Sequence, residues 1–164
     1  MRYLVRHADA GNKRAWTGPD DDRPLSSDGH REAEGLVALL AGFPISEIVS
    51  SPAVRCWQTV QPLAEQRRLA VRTDAALAVD AEIARAVALV MDTGAGDMVL
   101  CTHGELIRPT LGRLRELGAP VGDEAASPKG SVWLLEAAAG AVTSATYLPP
   151  HRVGDRPDHV DDAD

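Results

Sequence analysis

The residues of this 164-residue chain whose types could perform chemistry are two arginines and two histidines, at Arg6, His7, Arg55 and His103. An arginine binds phosphate oxygens through a planar pair of N–H groups and stays charged at any useful pH. A neutral imidazole is a competent nucleophile, and its transient phosphorylation divides one difficult displacement into two easier ones. The arginines and the second histidine could also neutralise the transferring group without a metal. The set therefore favours phosphoryl transfer.

Each of these side chains lies near the end of a predicted strand. Apolar segments predict four buried strands, at residues 3–5, 45–49, 71–77 and 98–101. Arg6 and His7 directly follow the first strand. Arg55 comes shortly after the second strand, Asp80 follows the third, and His103 follows the fourth. In an α/β protein, ligands bind beyond the carboxyl ends of parallel strands, so these residues are expected to meet at one rim.

Helical spacing of apolar residues separates these strands. It predicts four helices, at about residues 26–41, 54–64, 83–91 and 105–117. The second helix is expected to bury Val54, Trp57, Val60 and Ala64. Two further strands, at 132–135 and 142–147, flank an Ala-Gly turn. The pattern predicts an α/β three-layer sandwich: a mostly parallel sheet flanked by helices on both faces, with an antiparallel C-terminal hairpin.

Charge, apolar segments and cysteine positions limit which partners and which cellular compartment the protein is expected to have. The net charge is −7, from 24 acidic and 17 basic residues, which disfavours nucleic acid and anionic membranes as partners. No apolar segment approaches the roughly 20 residues of a membrane span, and residues 1–5 lack the pattern expected of a secretion signal. Cys56 and Cys101 lie in apolar segments and are expected to be reduced core thiols of a cytoplasmic protein. Residues 1–148 are expected to form one domain, and residues 149–164 an acidic, proline-containing mobile tail.

Other roles are open to these residues. Arg55 alone could be a surface ion-pair partner, and Asp80 and Glu82 could be helix N-terminal charges. His7, Asp9, His103 and Glu105 could be assembled as metal ligands, but the adjacent arginines would repel a divalent cation and no metal-binding spacing is present. A response-regulator receiver needs an acidic pocket for Mg²⁺ at its strand ends. The first strand of this chain ends in Arg6 and His7 instead, which excludes that class. A non-catalytic module that binds phosphorylated ligands is the alternative from another class.

The sequence blocks around these residues resemble those of a known family. Arg6-His7-Ala8, the segment 23–29 (Arg-Pro-Leu-Ser-Ser-Asp-Gly), the segment 50–59 and Thr102-His103-Gly104 match, in order, the blocks of the histidine phosphatase (phosphoglycerate mutase-like) superfamily. The short chain, with Ala8 in place of glycine, resembles the SixA-type branch of small phosphohistidine phosphatases. Residues 129–133 and the loop at 11–18 also resemble the phosphatase-like domain attached to some bacterial MutT (Nudix) proteins.

The resemblance implies roles for the site residues. His7 would be the nucleophile, Arg6 and Arg55 would hold the phosphoryl oxygens, and His103 would donate a further hydrogen bond. Larger members of the family carry a glutamate soon after the third strand, where this chain has valine. Asp80 is the predicted general acid, with Glu82 or Asp9 as alternatives.

Substrate contacts are predicted from the loops and helix ends around the rim. Arg14 lies in a long polar loop between residues 9 and 23, Gly104 begins a helix, and Lys129 precedes the hairpin. All three are expected to contact substrate. The predicted function is a cofactor-free, metal-independent phosphatase, with phosphohistidine proteins or phosphorylated small molecules as the predicted substrates. A nucleotide or small-metabolite phosphatase is the alternative, and a monomer is the expected state.

Overall fold

The computed structural model describes residues 1–92, 94, 96–122 and 126–151. Most of the predicted tail, residues 152–164, lies outside the described residues. The described part contains six strands and four helices in the order β1 Arg2–Arg6, α1 Ser27–Leu39, β2 Glu47–Ser50, α2 Val54–Arg67, β3 Val71–Thr73, α3 Ile83–Met91, β4 Met98–Thr102, α4 Gly104–Glu116, β5 Val132–Ala138 and β6 Ala141–Leu148. Three short 3-10 turns lie between them, at Lys13–Ala15, Asp20–Asp22 and Ala75–Leu77.

The strands form one sheet in the order β3-β2-β4-β1-β5-β6. The first four strands in this order run parallel to one another. β5 pairs antiparallel with β1, and β6 pairs antiparallel with β5. The hairpin turns at Ala139 and Gly140, which both have positive φ angles of 50° and 78°. This pair of conformations matches the twist of a two-residue hairpin. The predicted fold class, a mostly parallel sheet closed by an antiparallel hairpin, is confirmed.

Helices cover both faces of the sheet. One core cluster packs α1 and α2 against the sheet through residues such as Leu36, Val60 and Leu63. The other packs α3 and α4 through Val87, Ile107 and neighbouring side chains. Both cysteines are free and fully buried, as predicted for core thiols. None of the described helices is long and apolar enough to cross a lipid bilayer.

Two local predictions are wrong. Trp57 was expected on the buried face of α2, yet it is 38% exposed, and the helix instead buries Arg55, Cys56 and Thr59 beside the apolar residues. The face differs because α2 covers a polar rim at its first turns, so polar side chains occupy interior positions there. The third strand is also shorter than predicted: it ends at Thr73, and Leu77 is buried in a 3-10 turn instead.

Candidate active site

The carboxyl ends of three neighbouring strands form the rim at which the histidines meet. In the sheet, Arg6 pairs with Thr102, so the residues that follow, His7 and His103, lie at the same level. The His7 amide donates to the Thr102 carbonyl at 2.9 Å, which continues this register beyond the strands. The two imidazole rings have centroids 5.3 Å apart in an edge-to-face arrangement. The parallel pairing of β1 with β4 therefore brings the two histidines together.

His7 is fixed in one orientation and one tautomer. Its side chain is buried, with 6% of the residue exposed, and Nδ1 lies 2.8 Å from the Ala8 carbonyl oxygen. Because a carbonyl can only accept, Nδ1 carries the proton and donates it, and Nε2 keeps its lone pair. Burial lowers the pKa of His7 to about 3. The ring is therefore neutral at pH 7, with Nε2 as the nucleophilic atom.

This environment predicts the pH behaviour of His7. Its pKa in the folded protein lies below the ordinary histidine value of about 6.5, so the neutral form persists as the pH falls from 8 to 5. In an NMR titration, we expect the His7 imidazole signals to stay nearly constant over that range. The His7→Ala variant assigns the signals. A midpoint near pH 6.5 would contradict the burial and the hydrogen bond described above.

His103 uses both of its ring nitrogens within the protein. Nδ1 lies 3.2 Å from Nη2 of Arg55, and Nε2 lies 2.9 Å from Oγ of Ser51. An arginine nitrogen can only donate, so Nδ1 of His103 accepts and Nε2 is the protonated atom that faces Ser51. In this structure His103 therefore orients Arg55, while Ser51, at the end of β2, orients His103. The predicted bond from His103 to a phosphoryl group would require one of these partners to be exchanged.

Arg55 is buried at the first turn of α2, with 2% of the residue exposed. Its Nη1 donates to the Asp20 carbonyl oxygen at 2.6 Å, and its Nη2 donates to Oδ2 of Asp20 at 3.2 Å. The Asp20 carboxylate also accepts hydrogen bonds from Nε of Arg23 at 3.0 Å and from Nζ of Lys13 at 3.2 Å. Burial opposes its ionisation, but hydrogen bonds from Arg23 and Lys13 and the charge of Arg55 lower the pKa of Asp20 to about 2.

Asp20 was not among the predicted site residues. The loop between residues 9 and 23 was recognised as long enough to carry function, but its three consecutive aspartates gave no sign of which one would turn inward. Only the folded loop distinguishes Asp20 from its exposed neighbours Asp21 and Asp22.

Arg6 lies over the start of α4. Its Nη1 donates to the Ser127 carbonyl at 2.5 Å. A Cβ atom added to Gly104 would lie 2.8 Å from the Arg6 guanidinium carbon, so glycine is needed there for the arginine to lie in this position. Beside it is a cleft of about 360 Å³, lined by Arg6, Gly104, Glu105, Arg108 and Pro109. The Nε atom of Arg108 donates to Oγ of Ser127 at 3.1 Å.

Two guanidinium nitrogens at the rim have unmet hydrogen-bonding capacity. The Nε atoms of Arg6 and Arg55 are buried and have no hydrogen-bond partner among the described residues. Leaving a buried donor unsatisfied costs about 1–3 kcal/mol. Both arginines therefore keep a buried donor that no described residue uses.

The structure does not bring the predicted general acid into contact with the histidines. Asp80 and Glu82 are both exposed, in and after a turn, and neither side chain forms a hydrogen bond or ion pair with any described residue. The turn begins beside the rim, because Oγ1 of Thr102 donates to the Leu77 carbonyl at 2.6 Å.

Asp9, the other alternative, is held in a separate cluster. Its Oδ1 accepts a hydrogen bond from Nζ of Lys129 at 2.5 Å, and its Oδ2 accepts one from the Ser26 hydroxyl at 2.6 Å. Burial opposes ionisation, but these bonds and that from the Gly11 amide hold the pKa of Asp9 well below its usual range. An acid that stays ionised at pH 7 is a poor proton donor.

Two of the remaining predicted substrate contacts, Arg14 and Lys129, do not line the cleft beside Arg6. Arg14 is exposed in the 3-10 turn Lys13–Ala15. Its side chain forms no hydrogen bond with any described residue. Lys129 is paired with Asp9 and is 37% exposed at its side chain. Of the three predicted contacts, only Gly104 lies in the cleft beside Arg6. In the described part of the chain, no three His, Cys, Asp or Glu side chains are grouped so that they could hold a metal ion.

Comparison with known proteins gives the family of the chain. The model of the histidine phosphatase superfamily (branch 1) matches residues 2–84. An 8-oxo-(d)GTP phosphatase of Mycolicibacterium smegmatis is 33% identical over 152 residues, which cover 90% of this chain and 47% of that protein. The chain therefore spans about half the length of this curated relative.

Solved structures share the fold. The protein histidine phosphatase SixA in complex with tungstate superimposes with a TM-score of 0.73 at 18% identity, over 92% of this chain and 96% of SixA. A Nakamurella multipartitia protein assigned as a phosphohistidine phosphatase SixA gives 0.71 at 26% identity, over 91% and 95%. A mycobacterial glucosyl-3-phosphoglycerate phosphatase complexed with VO3 gives 0.68 at 20% identity, over 92% and 98%.

Proposed function

Because the chain belongs to the histidine phosphatase superfamily, we propose that it is a metal-independent phosphatase that works through a phosphohistidine intermediate on His7. The observation that carries the proposal is the state of His7: a buried, neutral imidazole with Nδ1 bonded to the Ala8 carbonyl and Nε2 unprotonated. The predicted roles of Arg6 and Arg55 are supported by their positions, since Arg6 directly precedes His7 and Arg55 is hydrogen-bonded to His103.

The reaction follows from these groups. The Nε2 lone pair of His7 attacks phosphorus, a P–N bond forms, and the bond to the leaving atom breaks. The leaving atom takes a proton from the general acid and departs with the bonding electrons. Water then attacks the phosphohistidine and gives a proton back to the same carboxylate, the P–N bond breaks, and inorganic phosphate is released with Nε2 again unprotonated. The bond from Nδ1 to the Ala8 carbonyl stabilises the positive charge that the ring carries while it is phosphorylated.

We keep Asp80 as the proposed general acid, on the argument that its turn begins next to the rim at Leu77. Its exposed position suits substrates that need little help with the leaving group. A phosphoramidate nitrogen leaves readily once protonated, so phosphohistidine is the first proposed substrate, with small phosphomonoesters beside it. A monomeric, cytoplasmic enzyme completes the proposal, and the two buried free thiols support a reducing compartment.

A nucleotide phosphatase is the second candidate function. The Mycolicibacterium smegmatis relative is an 8-oxo-(d)GTP phosphatase, and the cleft beside Arg6 contains a further arginine. Arg108 donates to Ser127 through Nε and is exposed, which leaves the rest of its guanidinium available. This group could bind a second phosphate of a nucleoside di- or triphosphate, next to the one that Arg6 contacts.

Replacing Arg108 distinguishes the two candidates. If the enzyme acts on nucleotides, Arg108→Ala should lower kcat/KM for a nucleoside diphosphate about tenfold or more, the scale of a charge-assisted contact. Hydrolysis of para-nitrophenyl phosphate, which lacks a second phosphate, should change little. Arg113→Ala is the matched control, because Arg113 is an exposed arginine on the same helix, paired with Glu116. Equal losses on both substrates would remove Arg108 from nucleotide recognition.

The proposed function is tested by hydrolysis of para-nitrophenyl phosphate and of phosphoramidate by the purified protein in excess EDTA. Hydrolysis of either compound that survives chelation supports the proposal. Activity lost to EDTA would contradict metal independence, and no activity on either compound would favour a module that binds phosphorylated ligands.

A further inference from the structure

Asp20 occupies the end of Arg55 in the way that a phosphoryl group would. Its carbonyl oxygen and its carboxylate together accept hydrogen bonds from the two terminal nitrogens of Arg55, at 2.6 and 3.2 Å. Arginine binds the oxygens of a phosphate through the same pair of nitrogens. The Arg55 guanidinium makes a third contact, in which Nη2 donates to Nδ1 of His103.

We propose that Asp20 is an internal competitor of the substrate, whose carboxylate holds the phosphoryl-binding end of Arg55 until a phosphoryl group displaces it. The inference rests on the proposed function, since it takes Arg55 as a phosphoryl contact. It makes Asp20 a residue that determines substrate affinity. Phosphoryl binding through both terminal nitrogens requires the Asp20 carboxylate to leave Nη2 and the Asp20 carbonyl oxygen to leave Nη1, so the turn moves with the side chain.

The charges around Asp20 support an exchange of one anion for another. Lys13, Arg23 and Arg55 all pair with this carboxylate. When Asp20 moves outward, these cations lose a shared partner, and a phosphoryl dianion supplies at least as much negative charge to the same place. The exchange therefore leaves Arg55, which is buried, with an anionic partner in both states.

The segment that carries Asp20 is held in place mainly by polar contacts of Asp20 itself, to Arg55, Arg23 and Lys13. Asp20–Asp22 form a single 3-10 turn with no buried residue and no side-chain cap. The amides of Asp22 and Arg23 bond only to Pro19 and Asp20 within the turn. Trp16, which is 38% exposed, donates from Nε1 to the Pro19 carbonyl at 2.9 Å and so touches the turn directly. Its fluorescence can report displacement of the turn.

The test compares the binding of inorganic phosphate to Asp20→Ala, Asp20→Asn and Asp21→Ala by calorimetry. Removing the Asp20 carboxylate should tighten phosphate binding about tenfold. The reason is that phosphate no longer has to break the charge-assisted hydrogen bond between Asp20 and Arg55 before it can bind. Asp21→Ala removes the same charge from the same turn, but Asp21 is exposed and does not contact Arg55. It should therefore change the affinity much less.

A second measurement follows the turn itself. Phosphate should change the tryptophan emission of the wild-type protein, and the change should be lost in Trp16→Phe. Unchanged or weaker phosphate binding in both Asp20 variants would overturn the inference and make Asp20 a residue that positions Arg55. If phosphate binds to the wild type and Arg55→Ala abolishes it, the proposed function stands even where the Asp20 inference fails. Absence of phosphate binding to every protein, the Asp20 variants included, would overturn the inference, whereas the proposed function is judged by hydrolysis in EDTA.

Discussion

Replacing His7 with alanine is expected to reduce phosphatase activity to the background level, a loss of about 10⁴-fold or more in kcat for a group that forms the covalent intermediate. No other described side chain presents an unprotonated imidazole nitrogen with its other nitrogen fixed on a carbonyl at the rim. The loss should appear as a fall in kcat on both para-nitrophenyl phosphate and phosphoramidate.

The control for this prediction is His30→Ala, which removes an exposed histidine from α1 and should leave the rate unchanged. His7 is buried, so the melting temperature of each variant is measured alongside. If folded His7→Ala retained more than about one hundredth of the wild-type rate, the assignment of His7 as the nucleophile would be wrong.

Arg55→Ala is expected to lower kcat/KM by about 10²–10³-fold, or about 3–4 kcal/mol, the scale of losing a charged contact to the transferring group. Arg55→Lys should recover little, because an ammonium group cannot bridge two oxygens in one plane. The alanine variant also leaves Nδ1 of His103 without its donor. Kinetics on para-nitrophenyl phosphate measure both variants.

Arg67→Ala separates catalysis from stability in this comparison. Arg67 lies at the other end of the same helix and donates to the carbonyls of Leu40 and Ala41, so its loss also weakens α2. It should lower the melting temperature with little change in kcat/KM. An effect of Arg55→Ala below tenfold, or one matched by Arg67→Ala, would remove Arg55 from the site.

The sequence was sufficient to predict the fold class and the meeting of the two histidines. Short apolar runs bounded by glycine, proline and charged residues located β1 and β4, and both histidines come directly after these runs. Parallel strands bring their carboxyl ends to one rim, so the proximity of His7 and His103 needed no knowledge of side-chain packing. The sequence blocks around the two histidines also predicted membership of the histidine phosphatase superfamily, and the family model confirms it.

The loops were beyond such reasoning, because their contacts are made between distant residues. Lys129 pairs with Asp9 across 120 residues, and Asp20 meets Arg55 across 35. Neither pair shares a periodic element that would fix one residue relative to the other. Trp57 shows the same limit within a helix: hydrophobicity placed it inside, while the polar rim drew Arg55 and Thr59 to the buried face.

The most direct test of the central claim is to trap the phosphoenzyme. The wild-type protein is mixed with phosphoramidate, quenched rapidly in alkali, where phosphohistidine survives, and digested with trypsin for mass spectrometry. We expect one phosphoryl group in the peptide of residues 7–13, on His7, and none in the His7→Ala protein. A phosphoryl group on another residue, or steady turnover with no phosphorylated peptide at any quench time, would contradict the account.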